Sequence, residues 1–358
     1  MTEQNTTMRS VLCIDIRPAR QVVLFRQTGC DFSAMPRLVL PSPSAILSRK
    51  IGMCTAERRD IYITGSAVGR ECLGALAAHI RQGCRAAMDI RSVFKLYKTT
   101  ENAVAAGMEI LESCPDGYAQ IHADKIDMDF WSHFTSMIAL EKPALVAVTA
   151  LDNETDPEMA QTGNACRGGA MHVWNTVLRS HAEQGAPPQA FMLTETAAPL
   201  PYLTALQNGA KCFVTESGVA SLLGLFSNTE IYERSFRRGL VLLNTDEMHV
   251  TAFLVWRGRI FGVYGQHTQG MDCSKILHDL AEFRLGWLPD EAVRNAGGHG
   301  TAFADVPPEA EGFPAMYVTG QKRKLFEGHG KIYESPEQDV FSGCLGMACA
   351  IDAMAGSE

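Results

Sequence analysis

Residues 239–268 constrain the fold of this chain more than any other stretch, because they predict three consecutive strands joined by tight turns. Apolar and β-branched side chains fill three runs, at 240–243, 250–256 and 260–264. A polar turn at 245–248 separates the first two runs, and Arg257-Gly258 supplies a glycine for the second turn. Because this β-meander follows a region of alternating strands and helices, it predicts that a second α/β unit begins here.

The beginning of the chain predicts a further hairpin. Apolar strands at 11–16 and 21–26 flank a turn at 17–20, where proline suits the second turn position. The prolines within 36–43 predict a loop, and residues 60–64 predict the third strand. Hydrophobic spacing then predicts helices at 70–84, 100–113, 129–139, 169–183 and 272–285, and strands at 144–150, 211–215 and 315–319.

Composition excludes several classes of protein. The chain has 358 residues, of which 46% are hydrophobic and 20% charged, so it can bury a sizeable core and is expected to form two domains. Its formal net charge is -8, and no basic run exceeds residues 322–324, which argues against a nucleic-acid partner. The polar first ten residues and the short apolar runs predict a cytoplasmic protein with no membrane partner.

The 11 cysteines are scattered along the chain, and no two of them form a C-x-x-C pair. This spacing predicts reduced thiols that are mostly packed in the core. Iron–sulfur clusters need closely spaced thiolates, so the sequence also predicts that this cofactor is absent. Cys344 opens the C-terminal helix, where either packing or a nucleophilic thiol is conceivable, and packing is favoured.

Several short motifs, taken in order, carry a family resemblance. They are VLCIDI at 11–16, TESGVASLLGLFS at 215–227, Asn244 with His249, Gln266-His267-Thr268, Gly297-Gly298-His299-Gly300, Val318-Thr319-Gly320 with Arg323, and Gly343-Cys344-Leu345-Gly346. Over residues 11–353 the chain resembles a bacterial and archaeal family labelled “putative pyruvate formate-lyase activating enzyme”. That family is similar to the actin, sugar-kinase and Hsp70 superfamily.

The resemblance implies an α/β fold with two ribonuclease-H-like (actin-like ATPase) domains, at 1–235 and 236–358, that face an interdomain cleft. In that superfamily a hairpin turn from each domain holds the phosphates of ATP or ADP with Mg²⁺. The family label itself implies radical chemistry. Glycyl-radical activases need a three-cysteine cluster motif, which this sequence lacks, so we exclude radical chemistry.

Both phosphate turns depart from the superfamily pattern. The first, residues 15–20, has lost its glycine, and Pro18 has no N–H to donate. The second, residues 244–249, holds Asp246 and Met248 where relatives have glycine-like positions. Carboxylates about 4 to 6 Å from a phosphate would each cost on the order of a kcal/mol or more unless a metal ion lies between them.

Three acids are candidates for catalysis. Asp15, at the end of the first strand, is by resemblance the carboxylate that contacts metal-bound water, and capping of the turn is its alternative. Asp152 and Glu216 each follow a buried strand and are candidates for a general base or a metal-water contact. Helix capping is the favoured alternative for Glu216.

The candidate ligand-binding residues lie in both halves of the chain. Arg17 and Arg20 can replace the lost amides as a guanidinium clamp on an anion, although two solvated turn residues are the favoured alternative. The resemblance adds Asn244, His249, His267, Gly297, Gly298, His299, Gly300 and Gly320. The three histidines lack the short spacing of a zinc motif, so the sequence predicts no metal site among them.

The expected function is the binding of a small anionic ligand, with a nucleotide as first candidate, in the cleft of an actin-like protein. If the protein is an enzyme, the reaction is ATP-dependent phosphotransfer or hydrolysis. The alternative is a degenerate, non-hydrolysing relative that acts as a binding or regulatory protein, for which a protein partner stays open. A carboxylate-utilising enzyme with Arg17 and Arg20 as its clamp is a third candidate.

Overall fold

The structure, a computed structural model, describes residues 10–27, 30–97, 99–149, 169–194, 211–246, 248–267, 273–334 and 338–355. Its strands are β1 (Val11–Ile16), β2 (Arg20–Arg26), β3 (Arg37–Pro41), β4 (Ile61–Thr64), β5 (Ala86–Met88), β6 (Met108–Ile110), β7 (Ala119–His122), β8 (Leu145–Thr149), β9 (Leu193–Thr194), β10 (Lys211–Thr215), β11 (Leu240–Thr245), β12 (His249–Trp256), β13 (Arg259–His267), β14 (Gly300–Phe303), β15 (Ala315–Thr319) and β16 (Lys331–Ile332).

The helices are α1 (Pro43–Ala56), α2 (Leu73–Arg81), α3 (Ile90–Tyr97), α4 (Thr100–Ala105), α5 (Met128–Met137), α6 (Gly169–Arg179), α7 (Ser217–Phe226), α8 (Thr229–Ser235), α9 (Cys273–Phe283), α10 (Asp290–Asn295) and α11 (Gln338–Ala355). No helix in the described ranges combines the length and apolarity that crossing a membrane requires.

The first sheet has the strand order β3-β2-β1-β8-β10-β9. Strand β1 pairs antiparallel with β2 and parallel with β8, and β8 in turn pairs parallel with β10. An antiparallel meander whose first strand is followed across the sheet by parallel strands is the ribonuclease-H-like arrangement. The buried apolar strands of this sheet, such as β1 and β8, are covered on both faces, as parallel pairing requires.

The second sheet repeats this plan, with the order β14-β13-β12-β11-β15-β16. The meander predicted for residues 239–268 is confirmed as β11, β12 and β13, and β11 pairs parallel with β15. Arg257 and Gly258 both have positive φ (48° and 73°), as a tight two-residue hairpin turn demands. The chain therefore has the predicted two-domain, actin-like architecture, in which one apolar core includes both sheets.

A third sheet, β6-β5-β4-β7, is entirely parallel and has an apolar core of its own. Residues 60–64 were predicted as the third strand of the chain; the strand found there, β4, is the fourth and belongs to this sheet. The third strand is β3, within the stretch predicted as a proline loop, and it pairs with β2 at the sheet edge. The helix predicted at 100–113 ends at Ala105, and β6 follows Gly107, whose φ is 85°.

Two helices, α11 and α6, each pack against one large sheet although they follow strands of the other in the chain. Helix α11 packs against α7 and against β1 and β2 of the first sheet, although it follows the second sheet in the chain. A side chain at Gly346 or at Gly224 would collide with the backbone of the opposite helix, so glycine permits the close crossing. Helix α6 packs against β13 and β14 of the second sheet. The predicted domain boundary at 235/236 stays a prediction.

Candidate functional site

Asp15, at the end of β1, has a fully buried carboxylate that is satisfied from inside the protein. Its Oδ1 accepts hydrogen bonds from the hydroxyls of Thr149 (3.0 Å) and Ser217 (2.7 Å). Its Oδ2 accepts two bonds from Arg17, from Nε at 3.0 Å and from Nη2 at 2.8 Å. Strands β1 and β8 and the start of α7 thus meet at one carboxylate, whose acceptor positions are occupied by three side chains.

The Arg17 guanidinium is engaged by this internal partner. The charge of Asp15 is the main reason that the pKa of Arg17 is raised, against the opposing effect of burial. An arginine clamp would direct the same two N–H donors at a ligand, and here both go to one oxygen of Asp15, Oδ2. Arg20, the other predicted clamp residue, begins β2 and lies opposite Pro41 in β3.

Glu216 joins β10 to α7 and caps the helix. Its two carboxylate oxygens accept hydrogen bonds from the backbone N–H groups of Gly218 (3.0 Å) and Val219 (3.3 Å). Burial raises the pKa of Glu216 to about 7, and the charges of Asp246 and Asp15 add to the increase. The capping alternative is therefore realised, and the same side chain is poised to gain or lose a proton near neutral pH.

The second hairpin, between β11 and β12, is organised by Asp246. Its Oδ1 accepts hydrogen bonds from the N–H groups of Met248 (2.9 Å) and His249 (2.7 Å), and its own N–H donates to the His249 carbonyl. Asp246 is half-buried, and in the described part of the chain its Oδ2 accepts no hydrogen bond. Asn244 is buried within β11, between its neighbours on β12 and β15.

The charged groups at the two hairpins, β1–β2 and β11–β12, lie close enough to interact. The charge of Asp246 raises the pKa of Arg17 in the first hairpin and that of Glu216 at the start of α7. Asp15, Glu216 and Asp246, which come from three separate parts of the chain, therefore act on one region between the sheets. Asp152, the remaining predicted acid, lies outside the described residues.

The three candidate histidines form one cluster at the end of the second sheet. His249 and His267 are paired in the β12–β13 register, and the N–H of His299 donates to the Gly265 carbonyl at 3.0 Å. Their ring centroids are 5.0, 4.9 and 4.3 Å apart. Burial, followed by the charges of His249 and His267, lowers the pKa of His299 to about 3.

The predicted glycines serve the turns around these residues. Gly297 and Gly300 have φ angles of 85° and 119°, and the turn between them carries His299. A side chain at Gly298 would lie 2.5 Å from Oε1 of Gln266. Gly320, with φ of 98°, follows β15, where a side chain would collide with the backbone of Thr245.

Sequence reasoning missed Thr149 and Ser217, whose hydroxyls donate to Asp15, and Asp246, which organises the second hairpin. Thr149 ends a buried strand and Ser217 follows one, so their signal was the same strand-end position that drew attention to Asp152 and Glu216. Asp246 was noted only as an unfavourable residue in a phosphate turn. The histidine cluster was missed because strand register, rather than sequence spacing, brings its members together.

A family model described as “Putative pyruvate format-lyase activating enzyme (DUF1786)” matches residues 69–325, which is more than half of the chain. A comparison with curated protein sequences finds no match.

Three of the solved structures that match the chain have sequence identities of 10% or less. A Bacteroides thetaiotaomicron protein “with actin-like ATPase fold and unknown function” is 7% identical, with coverage of 96% of this chain and 98% of that chain and a TM-score of 0.34. The ROK hexokinase from Thermus thermophilus is 10% identical (95% and 98% coverage, TM-score 0.31), and MreB 5 of Spiroplasma citri bound to AMPPNP is 9% identical (98% of each chain, TM-score 0.38).

Proposed function

The chain belongs to the family described as “Putative pyruvate format-lyase activating enzyme (DUF1786)”, and for this member we propose cation-dependent binding of a small anionic ligand between the two hairpins, without hydrolysis. A nucleotide is the first candidate for the ligand, and Mg²⁺ for the cation. The observation that carries this proposal is that Asp246, in the second half of the chain, lies close enough to Arg17 and Glu216, in the first half, for its charge to raise the pKa of both. Asp15 in turn binds Arg17 and Ser217, the residue that follows Glu216.

The balance of charge supports a role for the cation. An anion that enters this region meets the carboxylate of Asp246 and the ionisable Glu216, while the guanidinium of Arg17 is paired with Asp15. At intermediate dielectric each unfavourable charge pair at about 4 to 6 Å costs on the order of a kcal/mol or more. Mg²⁺ is commonly held by one or two carboxylates together with the phosphates of a ligand, which matches the acids available here.

The donor set fits such an ion. Asp246 uses Oδ1 for its turn, so Oδ2 is available among the described residues, and Glu216 can ionise near neutral pH. These two side chains would hold the cation, which would neutralise ligand charge when bound. Because a cation stabilises the ionised form of Glu216, cation binding is expected to release a proton and to tighten as pH rises through about 7.

The state of Asp15 favours binding without hydrolysis over phosphotransfer. A carboxylate that activates water through a metal ion needs free acceptor positions. In Asp15 each oxygen already accepts two hydrogen bonds, Oδ1 from Thr149 and Ser217 and Oδ2 from two N–H groups of Arg17. Each oxygen of Glu216, by contrast, accepts only one. We therefore expect no ADP release from ATP, and a binding or regulatory role in which a protein partner responds to the occupied cleft.

Thermal unfolding with ATP, ADP and a non-hydrolysable analogue, each with and without Mg²⁺, tests the proposal. Ligand at about one hundred times its Kd should stabilise the protein by about 2.7 kcal/mol, and only when Mg²⁺ is present. Asp246→Asn should abolish the stabilisation. Asp305→Asn, at an exposed acid of the second half, is the matched control and should keep it.

Two results would contradict the proposal. One is the absence of stabilisation by every nucleotide at millimolar concentration, and the other is an equal stabilisation with and without Mg²⁺. Steady ADP production by wild type that Asp15→Asn eliminates would replace the non-hydrolysing function with the phosphotransfer alternative.

A further inference from the structure

The histidine cluster at the end of the second sheet is formed by strand register. His249 is the first residue of β12 and His267 is the last of β13, and the register of these antiparallel strands places them directly opposite each other. His299 immediately precedes β14, which pairs with β13 on its other side. Three neighbouring strands therefore place one imidazole each at the same end of one sheet.

The backbone of each histidine is held in place. The N–H of His249 donates to Asp246 Oδ1 at 2.7 Å, and that of His267 donates to Gln266 Oε1 at 2.9 Å. The N–H of His299 donates to the Gly265 carbonyl at 3.0 Å. Because the positions are fixed before any ligand arrives, little backbone ordering is required on binding.

One ring nitrogen from each histidine lies within 4.8 Å of the others, and all three side chains are partly accessible. Tetrahedral coordination with metal–nitrogen distances of about 2.0–2.1 Å requires nitrogen atoms ~3.3 Å apart. Rotation about the side-chain torsions of the histidines can bring their nitrogen atoms, now within 4.8 Å of one another, to this separation. Glycine at position 265 makes room for the cluster, because a side chain there would lie 3.1 Å from His299 Cβ.

A buried amide beside the cluster provides a second, independent observation. The side chain of Gln266 is almost fully buried, and its Nε2 has no hydrogen-bond partner in the part of the chain that the structure describes. Its Oε1 is fixed by the N–H of His267, and the amide packs closely against Gly298, next to His299. A buried donor without a partner is costly, so this position favours a bound water or anion as its acceptor.

We propose that His249, His267 and His299 bind one divalent transition-metal ion of the Zn²⁺ class, with a further coordination position open to water or to a small anion. Imidazole ligands suit Zn²⁺, Co²⁺, Ni²⁺ and Cu²⁺, whereas Mg²⁺ and Ca²⁺ prefer oxygen. Three protein ligands with an open position are typical of reactive zinc sites, and structural zinc sites use four. This site adjoins Asp246 of the Mg²⁺-dependent cleft proposed above. It uses imidazole nitrogens in place of carboxylates, and it does not depend on that proposal.

Metal titration of the full chain tests the site. After treatment with a chelator, the protein is titrated with Co²⁺ or Zn²⁺, and bound metal is counted by elemental analysis while the Co²⁺ absorption spectrum reports the ligand type. We expect one ion per chain, nitrogen and oxygen ligation without a cobalt–thiolate band, and no displacement by millimolar Mg²⁺. His267→Ala and His299→Ala should each raise the Kd by at least about 100-fold.

His278→Ala is the matched control, because His278 has a 71% exposed side chain on α9; it should bind metal like wild type. X-ray absorption of the wild-type zinc complex decides the matter even if the histidine variants fail to fold. Three imidazole nitrogens at about 2.0–2.1 Å are expected. Sulfur in the coordination shell, less than one bound ion per chain at micromolar metal, or unchanged affinity in folded His267→Ala would overturn the proposal. Nucleotide binding is measured without these metals, so either proposal can fail alone.

Discussion

The hairpins β1–β2 and β11–β12 occupy equivalent positions in two sheets of the same plan, yet their chemistry differs. In the first hairpin, the carboxylate of Asp15 is buried and bound by Arg17, Thr149 and Ser217. In the second, Asp246 is half-buried, uses one oxygen to organise its own turn and lies next to the histidine cluster. The first hairpin has become a structural junction, and the second keeps groups that a ligand can reach.

The largest loss of stability is expected when the ion pair of Asp15 in the first hairpin is broken. Asp15→Asn leaves the largely buried Arg17 without its charge partner and should lower the free energy of unfolding by about 3–5 kcal/mol, measured by urea denaturation at neutral pH. Asp246→Asn keeps the oxygen that accepts the turn hydrogen bonds and should cost less than about 1 kcal/mol.

A combined variant sharpens this test. Asp15→Asn with Arg17→Met removes both charges and should recover part of the lost stability, because the unpaired buried charge is gone. Equal losses for Asp15→Asn and Asp246→Asn would remove the distinction between the two hairpins.

The second effect concerns Glu216, which lies between the hairpins and faces Asp246 and Asp15. Its folded-state pKa of about 7 exceeds its ordinary value of 4.5, so the folded protein binds the proton more tightly than the unfolded chain. The resulting stabilisation is fully present below about pH 4.5 and is lost as pH rises through about 7, with a total of about 3 kcal/mol.

Glu216→Gln removes this proton-linked contribution. The difference in unfolding free energy, wild type minus variant, should therefore decrease between about pH 5 and 7 and be flat above about 8. Taking the difference cancels other titrating groups, including His299, whose lowered pKa produces the opposite trend. A difference that stays constant across this range would show that Glu216 is not protonated in the folded protein near neutral pH.

The smallest of the three changes in unfolding free energy is expected from a substitution in α11, the helix that packs on the first hairpin. A methyl group at Gly343 in α11 would lie 2.5 Å from Asp15 Oδ2, so Gly343→Ala must displace the ion pair and should cost about 1–3 kcal/mol. Gly52→Ala, in α1 with open space around it, is the control and should gain about 0.5–1 kcal/mol. Equal melting temperatures for Gly343→Ala and Gly52→Ala would contradict this prediction. They would mean that the Asp15 side chain moves away from the added methyl group without cost.

Sequence periodicity predicted the second sheet well, because β11, β12 and β13 are long apolar strands with compact turns. It failed for β3, since proline was interpreted as a loop signal. Proline is tolerated at sheet edges, where an N–H need not be donated, and β3 is the edge strand beside β2. It also failed at β6, where residues of helical composition continue past Gly107.

The candidate site could be predicted only in outline. Asp15 and Glu216 were found from their positions at the ends of strands, but the hydroxyls that bind Asp15 come from residues 134 and 202 positions away. Such partners follow from strand order, which local patterns do not contain. His249, His267 and His299 illustrate the same limit, because their proximity depends on register across three strands.

The packing of α11 on the first sheet has a consequence for synthesis on the ribosome. The thiol of Cys344 contacts the carbonyls of Cys13 and Val22, which precede it by 331 and 322 residues. Strands β1 and β2 are therefore translated more than 300 residues before α11, the helix that covers their apolar face. A nascent chain halted before residue 338 would leave that face without α11 and display it to chaperones, and synthesis of α11 would end the exposure.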